Sequence, residues 1–65
     1  MTSDAKQIGG RPVRILTADD HALVRHGVAS LVNADSDMEL VAHASTGREA
    51  IEQFKLHRPD VILSF

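Results

Sequence analysis

The alternation of two hydrophobic periods is the feature of this sequence that most restricts its fold. Short apolar runs rich in branched residues occur at Val13–Ala18, at Met38–Ser45 and from Asp60 to Phe65, and each is typical of a buried strand. Between them, apolar residues recur with the period of an amphipathic helix. This order predicts an α/β fold, β-α-β-α-β, with parallel strands joined by right-handed crossovers.

Short local motifs predict where the two helices begin and end. Asp20 is placed to be the N-cap of a first helix over residues 21–34. Thr46 and Glu49 fit a capping box, in which the Thr46 hydroxyl accepts from the Glu49 amide and the Glu49 carboxylate reaches back to Thr46. Pro59 predicts the end of the second helix, because the residue before a proline is forced out of helical geometry.

Each predicted helix carries an apolar stripe. In the second helix we expect the stripe of Ala50, Ile51 and Phe54 to face the core. The stripe of the first helix consists of Leu23, Val24, Gly27, Val28, Leu31 and Val32.

The length and composition of the chain predict one small domain. The chain has 65 residues, of which 43% are hydrophobic, and a net charge of -2. Residues 1–12 are polar and contain glycine and proline, which predicts a flexible N-terminal tail before a domain over residues 13–65.

The chain has no cysteine, which excludes disulfides and thiolate zinc sites. We find no signal peptide or membrane span and expect a cytoplasmic location. The slight acidity argues against direct nucleic-acid binding.

The acidic pair that follows the first predicted strand is the candidate site. In open parallel sheets, ligands bind beyond the carboxyl ends of the strands. Asp19 and Asp20 would repel a phosphate, so nucleotide binding is disfavoured, but adjacent carboxylates suit Mg²⁺. On the residues alone a structural alternative is better supported, in which Asp20 caps the helix and Asp19 is a solvated loop residue.

The histidines and serines of the sequence do not form a recognisable combination of catalytic residues. We expect His21, His26, His43 and His57 to be surface or packing residues, and only His21 is considered as a neighbour of the acidic pair. No Ser-His-Asp or Cys-His combination can be argued. The sequence therefore does not predict an enzyme.

Several motifs in combination resemble a known family. They are "ADDH" after the first strand, "VRHG" in the first helix, "STGREA" at the start of the second helix and "RPDVIL" before the third strand. Across residues 13–63 the chain resembles the N-terminal half of a response-regulator receiver domain, most closely of the NarL/FixJ type. The resemblance implies part of a flavodoxin-like fold with parallel strands in the order 2-1-3.

The resemblance also implies roles for individual residues. Asp19 and Asp20 match the acidic pair that helps to hold Mg²⁺ in receivers. The aspartate that accepts the phosphoryl group from a sensor histidine kinase would fall at position 65, where this chain has Phe65. We therefore expect no phosphorylation and at best weak Mg²⁺ binding.

Three functions follow as alternatives. The favoured one is a truncated receiver whose parent protein serves phosphorelay signalling and transcription regulation, with a sensor histidine kinase as partner. The second is a natural half-receiver that acts as a phosphorylation-independent interaction module. The third is an unrelated metal-binding α/β protein, which would need tight binding through Asp19, Asp20 and His21. We also expect self-association, through the exposed third strand or the sheet faces.

Overall fold

The computed structural model describes residues 7–8 and 10–64 and has an α/β architecture. Its elements in chain order are β1 (Gln7–Ile8), β2 (Arg11–Ala18), α1 (Ala22–Asn33), β3 (Met38–Ala44), α2 (Gly47–His57) and β4 (Val61–Ser64). The predicted alternation of strands and helices is confirmed.

The central strand of the sheet is β2. It pairs in parallel with β3, with Val13 opposite Met38, and in parallel with β4, with Ile15 opposite Val61. Because both ladders include residues 15–18 of β2, β3 and β4 lie on its opposite edges. The order β3-β2-β4 confirms the predicted order 2-1-3 and a partial flavodoxin-like fold.

Part of the N-terminal segment pairs with the sheet. β2 begins at Arg11, before the predicted Val13, and β1 pairs with it in antiparallel fashion, with Ile8 opposite Arg11. Gly10 has a φ of 82°, a left-handed conformation that glycine adopts without a Cβ clash. Two residues of a segment that lacks a hydrophobic pattern thus pair with the central strand. Residues 1–6 and 9 of the predicted tail lie outside the described residues, and its flexibility stays a prediction.

The core lies where β2 meets its neighbours. Leu16 is 0% exposed, and Ile15 and Thr17 beside it are also buried. Ala44 at the end of β3 and Val32 in α1 complete the buried set among the apolar residues described. The centre of the small sheet therefore carries most of the hydrophobic burial.

The helical stripes are less buried than their pattern predicts. Ile51, which we expected to face the core, is 60% exposed, and Phe54 is only half-buried. In α1, Leu23 and Leu31 are 85% and 73% exposed. Three short parallel strands form a sheet too narrow to cover the whole apolar arc of each helix.

The predicted capping box of α2 is confirmed at Thr46 and corrected at Glu49. The Thr46 hydroxyl accepts a hydrogen bond from the Glu49 amide at 3.1 Å. The Glu49 carboxylate accepts from the backbone amide of Ser45 at 2.7 Å, and not from that of Thr46. The carboxylate thus reaches one residue further back than in the standard box.

Removal of the Thr46 hydroxyl should lower the free energy of unfolding by about 1 kcal/mol, because the Glu49 amide loses its acceptor. The measurement is urea denaturation of Thr46→Ala. Ser45→Ala is the matched control, since it removes a neighbouring hydroxyl but keeps the backbone amide that donates to Glu49. Equal losses in the two variants would contradict the capping role.

The end of α2 agrees with the prediction from Pro59. The helix ends at His57, and Arg58 follows as its C-cap with φ 49° and ψ 60°. The Arg58 amide donates to the Phe54 carbonyl, and its guanidinium lies 5.4 Å from the centroid of the Phe54 ring. This cation–π contact accompanies a left-handed backbone that is uncommon outside glycine.

The predicted N-cap of α1 is wrong. The N-cap is His21, which has extended backbone angles and no capping hydrogen bond from its side chain. The side chain of Asp19 accepts from the His21 amide at 2.8 Å, so this carboxylate organises the entry to α1 from two residues before it.

Candidate functional site

The carboxyl ends of the three parallel strands place the acidic pair at one edge of the sheet. Asp19 and Asp20 follow β2 directly, and the Asp19 amide donates to the carbonyl of Ala44, the last residue of β3, at 2.9 Å. Ser64, at the end of β4, lies opposite Ala18. This is the edge at which open α/β sheets bind ligands.

Asp19 is the buried member of the pair, contrary to the alternative of a solvated loop residue. Its side chain is 3% exposed. Oδ1 accepts from the His21 amide and lies 2.6 Å from Nδ1 of the His21 ring. Oδ2 is buried without a hydrogen-bond partner. An ionised carboxylate with one oxygen unsatisfied costs free energy unless a cation or water approaches it.

Asp20 and His21 form the open side of the site. Both side chains are 72% exposed, and Nδ1 of His21 lies 3.0 Å from Oδ1 of Asp20. The hydrogen bond from the His21 side chain, followed by that from its amide, lowers the pKa of Asp19. The hydrogen bond to Asp19 and the charges of Asp19 and Asp20 raise the pKa of His21.

A cavity of about 390 Å³ adjoins the acidic pair. It reaches the start of α2 and the end of β4. The residues that line it include Ala18, Asp19, Asp20, Thr46, Gly47 and Ser64. The carboxylates make the cavity suited to a cation and repellent to an anion.

The structure brings His21 to the acidic pair and leaves the other histidines elsewhere. His26 and His43 are exposed, and His57 is half-buried. Among the described residues, the cluster of metal-ligand type consists of Asp19, Asp20 and His21, whose ligand atoms lie within 4.8 Å of one another. Phe65, at the predicted phosphoacceptor position, lies outside the described residues.

Sequence reasoning missed a charged clamp at the other end of the sheet. Both oxygens of Asp60 accept from the Arg11 guanidinium, at 2.7 and 2.9 Å, and Oδ2 also accepts from the Arg14 amide at 2.9 Å. The Asp60 amide in turn donates to the Arg14 carbonyl. The hydrogen bonds from Arg11 and Arg14 lower the pKa of Asp60 to about 2. The "RPD" motif was the available signal, and its carboxylate fixes β4 to β2.

No helix in the described ranges, 7–8 and 10–64, is long and apolar enough to cross a membrane.

Comparison with known proteins gives several clear relatives. The chain is 47% identical over 51 residues to the oxygen regulatory protein NreC of Staphylococcus epidermidis, a match that covers 78% of this chain and 23% of the relative. It is 45% identical over 51 residues to the proteins of that name from Staphylococcus haemolyticus and Staphylococcus aureus. No family model and no solved structure matches the chain.

The chain therefore spans about a quarter of the length of the curated relatives it matches. These relatives are response regulators of the NarL/FixJ type. The order of the strands is that of a receiver. The chain is thus a homologue of the NreC proteins, and its sequence and strand order match part of a receiver domain.

Proposed function

We propose that the chain is a receiver segment that does not accept a phosphoryl group, from a parent protein that acts in phosphorelay signalling and transcription regulation. One observation carries the proposal: the acidic pair lies at the carboxyl end of the central strand, while the residue after β4 is Phe65. A phenyl ring has no oxygen to attack a phosphohistidine. The segment is accordingly no enzyme, and a sensor histidine kinase is the partner of the parent.

The proposal is tested by incubating the chain with acetyl phosphate and Mg²⁺. We expect no aspartyl phosphate by intact-mass analysis, because Asp19 is held by His21 and Asp20 does not occupy the acceptor position. A response regulator that carries the acceptor aspartate serves as the positive control. A hydroxylamine-sensitive phosphoryl adduct on this chain would contradict the proposal.

The same site supports weak Mg²⁺ binding. The unpartnered Oδ2 of Asp19 and the exposed carboxylate of Asp20 are oxygen donors of the kind that Mg²⁺ uses, together with several waters. Phe65 offers no third carboxylate. When bound, the ion would supply positive charge at this edge of the sheet, with Asp19 and Asp20 holding it.

A second candidate, a phosphorylation-independent interaction module, is favoured by the apolar groove between α2 and β4. The groove has a volume of about 430 Å³, and Ala50, Ile51, Phe54 and Ile62 supply its apolar lining. Ile51 and Ile62 are 60% and 46% exposed. A pull-down with a sensor histidine kinase separates the candidates, because only the interaction module requires the isolated chain to bind. Ile62→Glu, which changes the apolar lining of the groove, should abolish such binding.

We also propose self-association through β4. In the described part of the chain, β4 pairs with β2 only, so its other edge presents backbone groups. Val61 and Ile62 add exposed apolar surface there. Light scattering should show the mass of the chain rising with its concentration. A folded monomer at high concentration would contradict self-association.

A further inference from the structure

We propose that the apolar groove between α2 and β4 binds an amphipathic helix of a partner protein, and that this helix carries acidic residues beside its apolar stripe. The inference rests on the second candidate function, the interaction module, and names the chemistry of the partner. It concerns the groove and not the backbone edge of β4, which is the surface of the proposed self-association.

The shape of the groove is the first argument. Ile51 and Phe54 line it from α2, and Ile62 lines it from β4. Ile51 is 60% exposed and Ile62 is 46% exposed, so both present uncovered apolar surface. α2 has 11 residues, and a helix of this length extends about 16 Å. A partner helix of about three turns that lies along α2 would cover both isoleucines.

The packing of α2 favours a helix as the occupant. α2 packs mainly against β3 and β2, so the face of β4 beside it has no helix on it in the described part of the chain. In α/β folds, helices lie side by side on each face of the sheet and bury its apolar side chains. A helix in the groove would extend this layer over β4 and would pack against α2 at the usual interaxial distance of about 8–10 Å.

The charges of the groove select an acidic partner. Among the described residues that line the groove, Lys55 and Arg58 are cations and none is acidic. No ion pair within the described residues engages either cation. The backbone of Arg58 is fixed on both sides, because its amide donates to the Phe54 carbonyl and its carbonyl accepts from the Arg14 guanidinium at 3.0 Å. Carboxylates of a bound helix would therefore meet two positive charges, one of them on an anchored backbone.

The same charges argue against a second copy of this chain as the occupant. α1 has Arg25 and His26 and no carboxylate, so it would bring positive charge to the groove. If two grooves faced each other across a two-fold axis, Lys55 and Arg58 of one copy would approach those of the other. Like charges placed together in this way disfavour a contact.

The test measures the binding of a helical peptide to the whole 65-residue chain by fluorescence anisotropy. The probe is a fluorescein-labelled, amidated peptide of about 15 residues with leucines at helical spacing on one face and glutamates on both sides of that face. A matched peptide has lysine in place of every glutamate. We expect saturable binding of the glutamate peptide and binding of the lysine peptide that is weaker by about tenfold or more. Equal affinity of the two peptides would overturn the proposal.

Two charge-reversed variants locate the binding site. Lys55→Glu should weaken the binding of the glutamate peptide by about fivefold and strengthen that of the lysine peptide. Arg48→Glu is the matched control, because it makes the same change on an exposed residue of α2 that does not line the groove. It should change either affinity by less than about twofold. Equal effects of the two variants, with folding verified by circular dichroism, would overturn the proposal.

Further outcomes separate this inference from the function on which it rests. If the chain captures a sensor histidine kinase but binds neither peptide, the interaction module stands and the acidic helix is overturned as its partner. If the peptides bind as expected and no kinase is captured, the acidic helix is supported and the kinase is rejected as the occupant. If neither peptide binds and Ile62→Glu lowers the mass of the chain in light scattering, a second copy occupies the groove and the proposal is overturned.

Discussion

Leu16→Ala is expected to leave the protein largely unfolded at room temperature. Leu16 lies in the middle of β2 and is 0% exposed, so the substitution removes buried apolar contacts and creates a cavity. Leucine-to-alanine changes at such positions cost about 2–5 kcal/mol. A core of this size rarely supplies more than about 3–5 kcal/mol in total. Circular dichroism and the dispersion of amide NMR signals measure the effect.

Leu31→Ala is the control for this expectation. It removes the same atoms from a side chain that is 73% exposed, so stability should change by no more than about 0.5 kcal/mol. A Leu16→Ala protein that stays as folded as Leu31→Ala would show that the centre of β2 is not the main source of stability.

Asp60→Asn is expected to lower Tm by several degrees at neutral pH. The amide keeps an oxygen for the Arg14 amide but loses the charged, two-point contact with Arg11. Since this contact joins the first residue of β2 to the residue before β4, its loss should loosen the attachment of β4. Glu52→Gln, which neutralises an exposed carboxylate on α2, should leave Tm nearly unchanged.

The decrease in Tm caused by Asp60→Asn should become smaller as the pH falls. The pKa of Asp60 is about 2 in the folded chain, below its usual 3.8. The stability that its ionised form contributes is therefore present above about pH 4 and is lost as the pH falls toward 2. The Tm difference between wild type and Asp60→Asn should shrink across that interval. A difference that stays constant from pH 5 to pH 2 would contradict the charged clamp.

The strands, the helices and the cap at Thr46 could be predicted because each is determined by residues that are close together in the sequence. The period of the apolar residues located β2 to β4, and the capping function of Thr46 depends on a residue three positions away. The position of Asp19 and Asp20 at the edge of the sheet followed from the parallel order of the strands.

The parts that sequence did not predict depend on contacts between distant segments. The burial of Asp19 requires β3 beside β2, since the carbonyl of Ala44 fixes its amide. The clamp joins Asp60 to Arg11, which are 49 residues apart, and the "RPD" motif marks Asp60 without indicating its partner. The exposure of Ile51 depends on the width of the sheet, which a helical period cannot show.

The central position of β2 has a consequence for synthesis on the ribosome. β2 is made before both of its parallel partners, β3 and β4, and Asp60, which leads into β4, is made 46 residues after Arg14. At about 5–20 residues per second, this interval lasts roughly 2–9 seconds. Leu16 and its neighbours therefore cannot pair with β4 until this interval ends, however early β3 becomes available.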